Sequence, residues 1–80
     1  MKDTVKRLDP QAQKLIAGLA KRLRKLRSER GWTLEACEEY GFKNWRHLQE
    51  LESGKNITLE TLVKVARLYK ISPSKLIKGL

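Results

Sequence analysis

Cysteine and histidine are nearly absent from this chain, which has one of each in 80 residues, Cys37 and His47. A lone cysteine closes no internal disulfide, and one Cys with one His cannot fill a four-ligand zinc site, so no metal ligands are assigned. Apolar runs are short, and none approaches the ~20 residues that cross a bilayer. Met1-Lys2-Asp3-Thr4 opens no apolar stretch with a cleavage site, which speaks against export; a cytoplasmic protein with a reduced Cys37 is the expectation. Strand signals are weak too, with no alternating β-branched run and no Asn-Gly or Asp-Gly hairpin. There is no acid–base pair and no Gly-rich cradling loop, so neither an enzyme nor a cofactor is expected. A chain this short is near the lower limit for a single apolar core. Without a staple, helix packing and oligomerisation must supply its stability.

Positive charge is what the sequence has in excess. Eighteen Lys and Arg stand against nine Asp and Glu, a formal net charge of +9. That balance favours a polyanionic partner, either nucleic acid or an anionic membrane, and charge alone does not choose between them.

The apolar residues are spaced for helices. Asp9-Pro10 and Ser72-Pro73 each read as an N-cap followed by Pro at the first helical position. A first helix is expected from Pro10 to Arg30, with Leu15, Ile16, Leu19, Leu23 and Leu26 on one stripe and Gly31 as its left-handed stop. The basic run Lys21–Arg30 reads as a solvated face, with only its end near Arg27 approaching a ligand. Residues 1–9 carry no periodicity and read as a loose arm, leaving 10–80 as the domain. Thr33 caps an expected second helix ending near Tyr40 or Gly41. A third begins near Asn44 and stops at Ser53-Gly54. Thr58 caps a fourth, apolar over more than one stripe, which marks it as a central core element or a partner surface. A fifth, Pro73 to Lys78, sets Leu76 and Ile77 against the body. The sum is an all-α, compact five-helix bundle.

Residues 33–53 hold two short helices joined by a tight turn, the pattern of a helix-turn-helix. In that motif the second helix enters the major groove, and its first residues reach base edges. Long polar side chains are required there, and Asn44, Trp45, Arg46, Gln49 and Glu50 supply them, while Leu48 and Leu51 face inward.

From about Leu19 to Leu76 the chain resembles the lambda-repressor-like (Cro/repressor, or Xre) family of DNA-binding domains. The resemblance rests on Arg22-Leu23-Arg24-Lys25-Leu26-Arg27, Thr33-Leu34-Glu35, Leu48-Gln49-Glu50-Leu51-Glu52-Ser53-Gly54-Lys55, Thr58-Leu59-Glu60-Thr61-Leu62 and Leu76. It implies that Arg27 pairs with Glu52, tying the recognition helix to the bundle. It further implies that Asn44, Trp45 and Arg46 face bases or the nearest phosphates, with Glu50 one turn on, and that Lys43, Lys55 and Asn56 meet the DNA backbone. Three positions depart from the pattern. Leu34 replaces a common phosphate-binding Gln, Glu38 stands at a site that is normally Ala, and Phe42 takes the usual turn Gly. Either the turn is shifted by one residue with Phe42 packed inward, or the second helix is short.

Arg46 is the leading candidate for base readout, since Arg bonds both O6 and N7 of guanine. Trp45 either presses on thymine methyls or lies against Phe42 or Leu48 as a rim of the core. Cys37 reads as a small buried apolar group and His47 as a surface or phosphate-facing residue. The carboxylates of Glu35, Glu38 and Glu39 must turn away from phosphate. The expectation is a sequence-specific regulator of transcription, a repressor or autoregulator, binding a palindromic operator as a homodimer without membrane contact. Its dimer surface is expected at the fourth and fifth helices, through Leu68, Tyr69, Ile71, Leu76, Ile77 and Leu80. The alternatives are a restriction–modification controller or antitoxin-type autoregulator, a protein-interaction module, and a membrane-surface binder.

Overall fold

Asp9 starts the first helix: its side chain accepts from the backbone N–H of Gln11 at 2.9 Å and of Ala12 at 3.3 Å. In the computed structural model, which describes residues 8–80, α1 (Pro10–Glu29) follows this cap. The arm expected over residues 1–9 lies, as far as residue 7, outside the described residues. After α1 come a single 3₁₀ turn (Glu35–Glu38), α2 (Trp45–Glu52), α3 (Leu59–Tyr69) and α4 (Pro73–Ile77). The described residues thus hold four α-helices and no strand, one α-helix fewer than the sequence led us to expect.

The missing helix is the second. Thr33 does cap it, its hydroxyl accepting from Ala36 N–H at 3.0 Å. The chain then leaves the helical path within one turn. The Phe42 N–H reaches back to the Cys37 carbonyl at 3.0 Å, and Gly41 N–H to Glu38 at 3.2 Å. These two bonds form a Schellman stop whose left-handed position is Gly41, at φ 108°. Cys37 and Phe42, five residues apart, are both buried, so a continued helix would carry one of them out of the core. Both sequence readings of the turn therefore hold: Phe42 packs inward, and the segment is short.

α1 packs against α2 and α4, α3 against α4, and the 3₁₀ turn against α2. Each element contributes at least one fully buried side chain: Leu23, Cys37, Leu48, Val65 with Tyr69, and Leu76. Burying an aliphatic side chain of this size contributes roughly 1.5–3 kcal/mol. α1 is long, and its buried residues, Leu19, Ala20 and Leu23, lie near its middle. Leu15, expected on the inner stripe, is 45% exposed.

The expected dimer surface requires correction. Leu68, Tyr69 and Leu76 lie inside the protomer's own core, at 5%, 1% and 0% exposure, and cannot meet a second copy. Ile77, expected to pack back on the body, is exposed, as is Leu80. The α3 circumference divides in the same way: Leu62, Val65, Ala66, Leu68 and Tyr69 face the core, while Leu59 and Val63 face outward.

Candidate nucleic-acid interface

α2 is placed by its two ends. At the start, the Asn44 carboxamide oxygen accepts from His47 N–H at 3.2 Å, so this expected contact residue is also the helix N-cap and keeps its amide NH2 for donation. Leu48 and Leu51 bury the inner face. At the far end, Glu52 is buried and held by Arg27, with Nε donating to Oε2 and Nη2 to Oε1. Arg27 Nη1 also donates to the Trp32 carbonyl at 3.0 Å. The hydrogen-bonded Glu52 carboxylate raises the Arg27 guanidinium above its ordinary range. Arg24 adds a strut by donating to the main-chain carbonyl of Glu52.

What α2 leaves in solvent is polar and basic. Arg46, Gln49 and Glu50 are exposed, with Gln49 and Glu50 three and four residues past Arg46 and hence beside it on the helix. The Arg46 guanidinium lies over the Trp45 ring, 5.4 Å from its centroid. Trp45, half-buried, thus serves as a platform for Arg46, a role that neither sequence expectation for this residue included. An exposed contact of this kind is worth ~0.5–1 kcal/mol and narrows the rotamers of a flexible side chain. Lys43 precedes the helix, and Lys55 and Asn56 follow it; all three are exposed. Asn56 uses its carboxamide oxygen on Ile57 N–H at 2.8 Å. Leu34 is partly buried against the core, and Glu35, Glu38 and Glu39 are exposed on or just after the 3₁₀ turn. His47 lies beside Phe42, with ring centroids 6.4 Å apart. No group of three or more His, Cys, Asp or Glu side chains is placed to hold a metal ion among the described residues.

The basic run of α1, read from sequence as a solvated face, is largely structural. Arg22 donates to the carbonyls of Leu76 and Lys78 at 3.0 and 2.6 Å. Arg30 donates to the Tyr69 carbonyl at 3.1 Å and lies over the Tyr69 and Trp32 rings at 5.0 and 5.7 Å. With Arg24 on Glu52, α1 therefore contacts the C-terminal carbonyls of α2, α3 and α4, where unpaired acceptors and the negative helix end favour a cation. The available signal is residue type. Arg22, Arg24, Arg27 and Arg30 all reach across, whereas Lys14, Lys21 and Lys25 on the same helix are exposed.

Residues 20–80 match the model of a helix-turn-helix domain family. The chain belongs to that family. The match contains the Arg27–Glu52 tie, the turn at Gly41 and the exposed face of α2, and it accords with the lambda-repressor-like resemblance. Helix-turn-helix membership points to a DNA-binding regulator rather than to an enzyme. No curated protein and no solved structure matches this helix-turn-helix protein. None of its helices, among the described residues, is long and apolar enough to cross a membrane.

Proposed function

We propose that this protein is a sequence-specific transcriptional regulator, a repressor or autoregulator, which reads the major groove of duplex DNA with α2. The observation that carries the reading is Arg46, exposed in the first turn of α2 and braced on Trp45, on a helix whose far end is clamped through Glu52. A guanidinium held this way is suited to the two acceptors of guanine, a contact worth ~1–3 kcal/mol of discrimination. Gln49 and Glu50 extend the same face toward neighbouring base edges. Asn44, Lys43, Lys55 and Asn56 flank it at the level of the phosphates.

One helix of this length reads only a few base pairs. A homodimer on a palindrome would double the site, with half-site centres ~34–36 Å apart, one turn of the duplex. The test is selection of bound sequences from random duplexes at two salt concentrations. An enriched palindrome with a steep salt slope supports the reading. Arg46→Ala should then relax preference at one base pair per half-site. If that variant keeps both wild-type preference and wild-type affinity, Arg46 is not a reader.

A further inference from the structure

The turn after the 3₁₀ segment and α3 enclose a groove of about 400 Å³, whose α3 wall none of the sequence expectations covers. Its rim carries three cationic side chains, Lys43 before α2 and Lys64 and Arg67 on α3, with His47 of α2 beside them. Its floor is Phe42 and Leu68, both buried. No carboxylate lines it, although the chain has nine acidic residues and three of them stand on or beside the adjoining 3₁₀ turn.

The cations of this rim are free to bind. Among the described residues the Arg67 guanidinium makes no hydrogen bond or ion pair, in contrast to Arg22, Arg24, Arg27 and Arg30, all of which are engaged across the fold. Lys64 meets only Glu60, at 3.7 Å on a solvent-exposed side, and such surface pairs hold a charge weakly. Lys64 and Arg67 are three residues apart and so point the same way. The groove opens beside Asn44, at the end of α2 assigned to the bases.

We propose that this groove seats a phosphodiester of the bound duplex, so that α3 grips the DNA backbone beside the helix that reads it. The cationic rim meets the phosphate oxygens, and the Phe42–Leu68 floor takes the attached sugar. The inference rests on the reading of the protein as a duplex-DNA binder. It adds Lys64 and Arg67 to the contact set, beside the phosphate-facing reading of His47, and gives them a role that carries no sequence information.

The test is the double variant Lys64→Gln/Arg67→Gln in the full chain, both positions being exposed. Binding is measured by fluorescence anisotropy across a salt series, on a selected duplex and on a scrambled one. Each phosphate left without its cation should reduce the salt slope by about one, so the slope of the double variant should fall by about two, with roughly tenfold weaker binding to both duplexes and an unchanged preference ratio. A charge-matched control, Lys14→Gln/Lys21→Gln on α1, should leave the slope near wild type. If the control lowers the slope as much as the α3 variant, the effect is net charge and the groove is not a phosphate seat. A wild-type slope for the α3 variant, in a protein whose preference still depends on Arg46, overturns the groove alone. Failure of the unmodified protein to bind any duplex overturns the functional reading with it.

Discussion

Arg27 holds Glu52 through both carboxylate oxygens, each at 2.8 Å, with the Glu52 side chain 6% exposed and that of Arg27 22%. A bidentate pair of this kind fixes direction as well as distance, which is what a DNA-reading helix requires at its anchored end. Its net contribution to stability is small, because desolvation of the two charges offsets most of their attraction; removing one partner is a different matter. Glu52→Ala would leave a guanidinium partly buried without its carboxylate, and a loss of about 3 kcal/mol is expected in urea denaturation. The double replacement Arg27→Met/Glu52→Leu should recover most of that loss. Its DNA affinity should nevertheless stay below wild type, since the strut that orients α2 is gone. A double variant as unstable as Glu52→Ala would show that the site needs charge for stability itself.

The end of α3 holds a position where the chain is not at its stability optimum. Lys70 adopts φ 58° and forms the left-handed stop of the helix, with Lys70 N–H bonded to the Arg67 carbonyl and Ile71 N–H to that of Ala66. Gly41 fills the equivalent place after the 3₁₀ turn. A side chain in this conformation costs ~1 kcal/mol or more relative to glycine, partly returned because glycine makes the unfolded chain more flexible. Lys70→Gly should therefore stabilise the protein by about 0.5–1 kcal/mol, seen as a rise of a few degrees in Tm. A fall in Tm would mean that the Lys70 side chain makes a compensating contact.

Helix starts were legible in the sequence, whereas helix lengths and remote partners were not. Asp9, Asn44, Thr58 and Ser72 each cap the helix expected after them, because capping is local and uses side chains within three residues of the backbone they satisfy. Thr33 caps as well, yet the segment after it makes only one turn; its length is set by Cys37 and Phe42 entering a core built from distant residues. The α1 arginines were misread for a related reason. Their partners lie 28 to 56 residues away, and no local pattern names a remote helix end. The Arg27–Glu52 pairing was accessible only through family resemblance. On α2, the identity of the outward residues was legible from spacing, whereas the Trp45 platform under Arg46 depends on rotamers that spacing does not fix.

Tyr69 and Cys37 make stability depend on alkaline pH. The Tyr69 hydroxyl is the buried side-chain polar atom without a hydrogen-bond partner among the described residues. Burial raises its pKa, and burial likewise raises that of Cys37, whose thiol donates to the Thr33 carbonyl at 3.6 Å. Both groups thus keep their protons in the folded state at a pH where the unfolded chain releases them. By linkage, stability is unaffected below the unfolded values and falls as pH rises through about 9 and 10. Tyr69→Phe removes an unsatisfied buried hydroxyl, so at neutral pH it should be neutral or slightly stabilising. Denaturation midpoints between about pH 7 and 11 should drop less steeply in this variant than in wild type. An identical alkaline slope would assign the loss to other groups.

Should the protein pair as proposed, the apolar surface left to α1 and α4, apart from the exposed Leu59 and Val63 of α3, is the docking site predicted for a second copy. Leu15 and Ile77 are exposed at 45% and 42%, and Leu80, at 36%, lies over Gly18, where an added Cβ would come within 3.0 Å of it. This brings Leu80 against α1 beside the exposed Leu15. A homodimer formed here would bury these side chains and free α2 to face DNA, without disturbing Leu68, Tyr69 or Leu76 in the core. Sedimentation at tens of micromolar should then give a dimer for wild type and a monomer for Leu15→Glu/Ile77→Glu, with thermal stability at low concentration little changed because both positions are exposed. On a palindromic duplex the monomeric variant should bind each half-site weakly and without cooperativity, keeping the wild-type base preference. A wild-type protein that remains monomeric at high concentration and still binds palindromes cooperatively would place the dimer contact elsewhere, formed only on DNA.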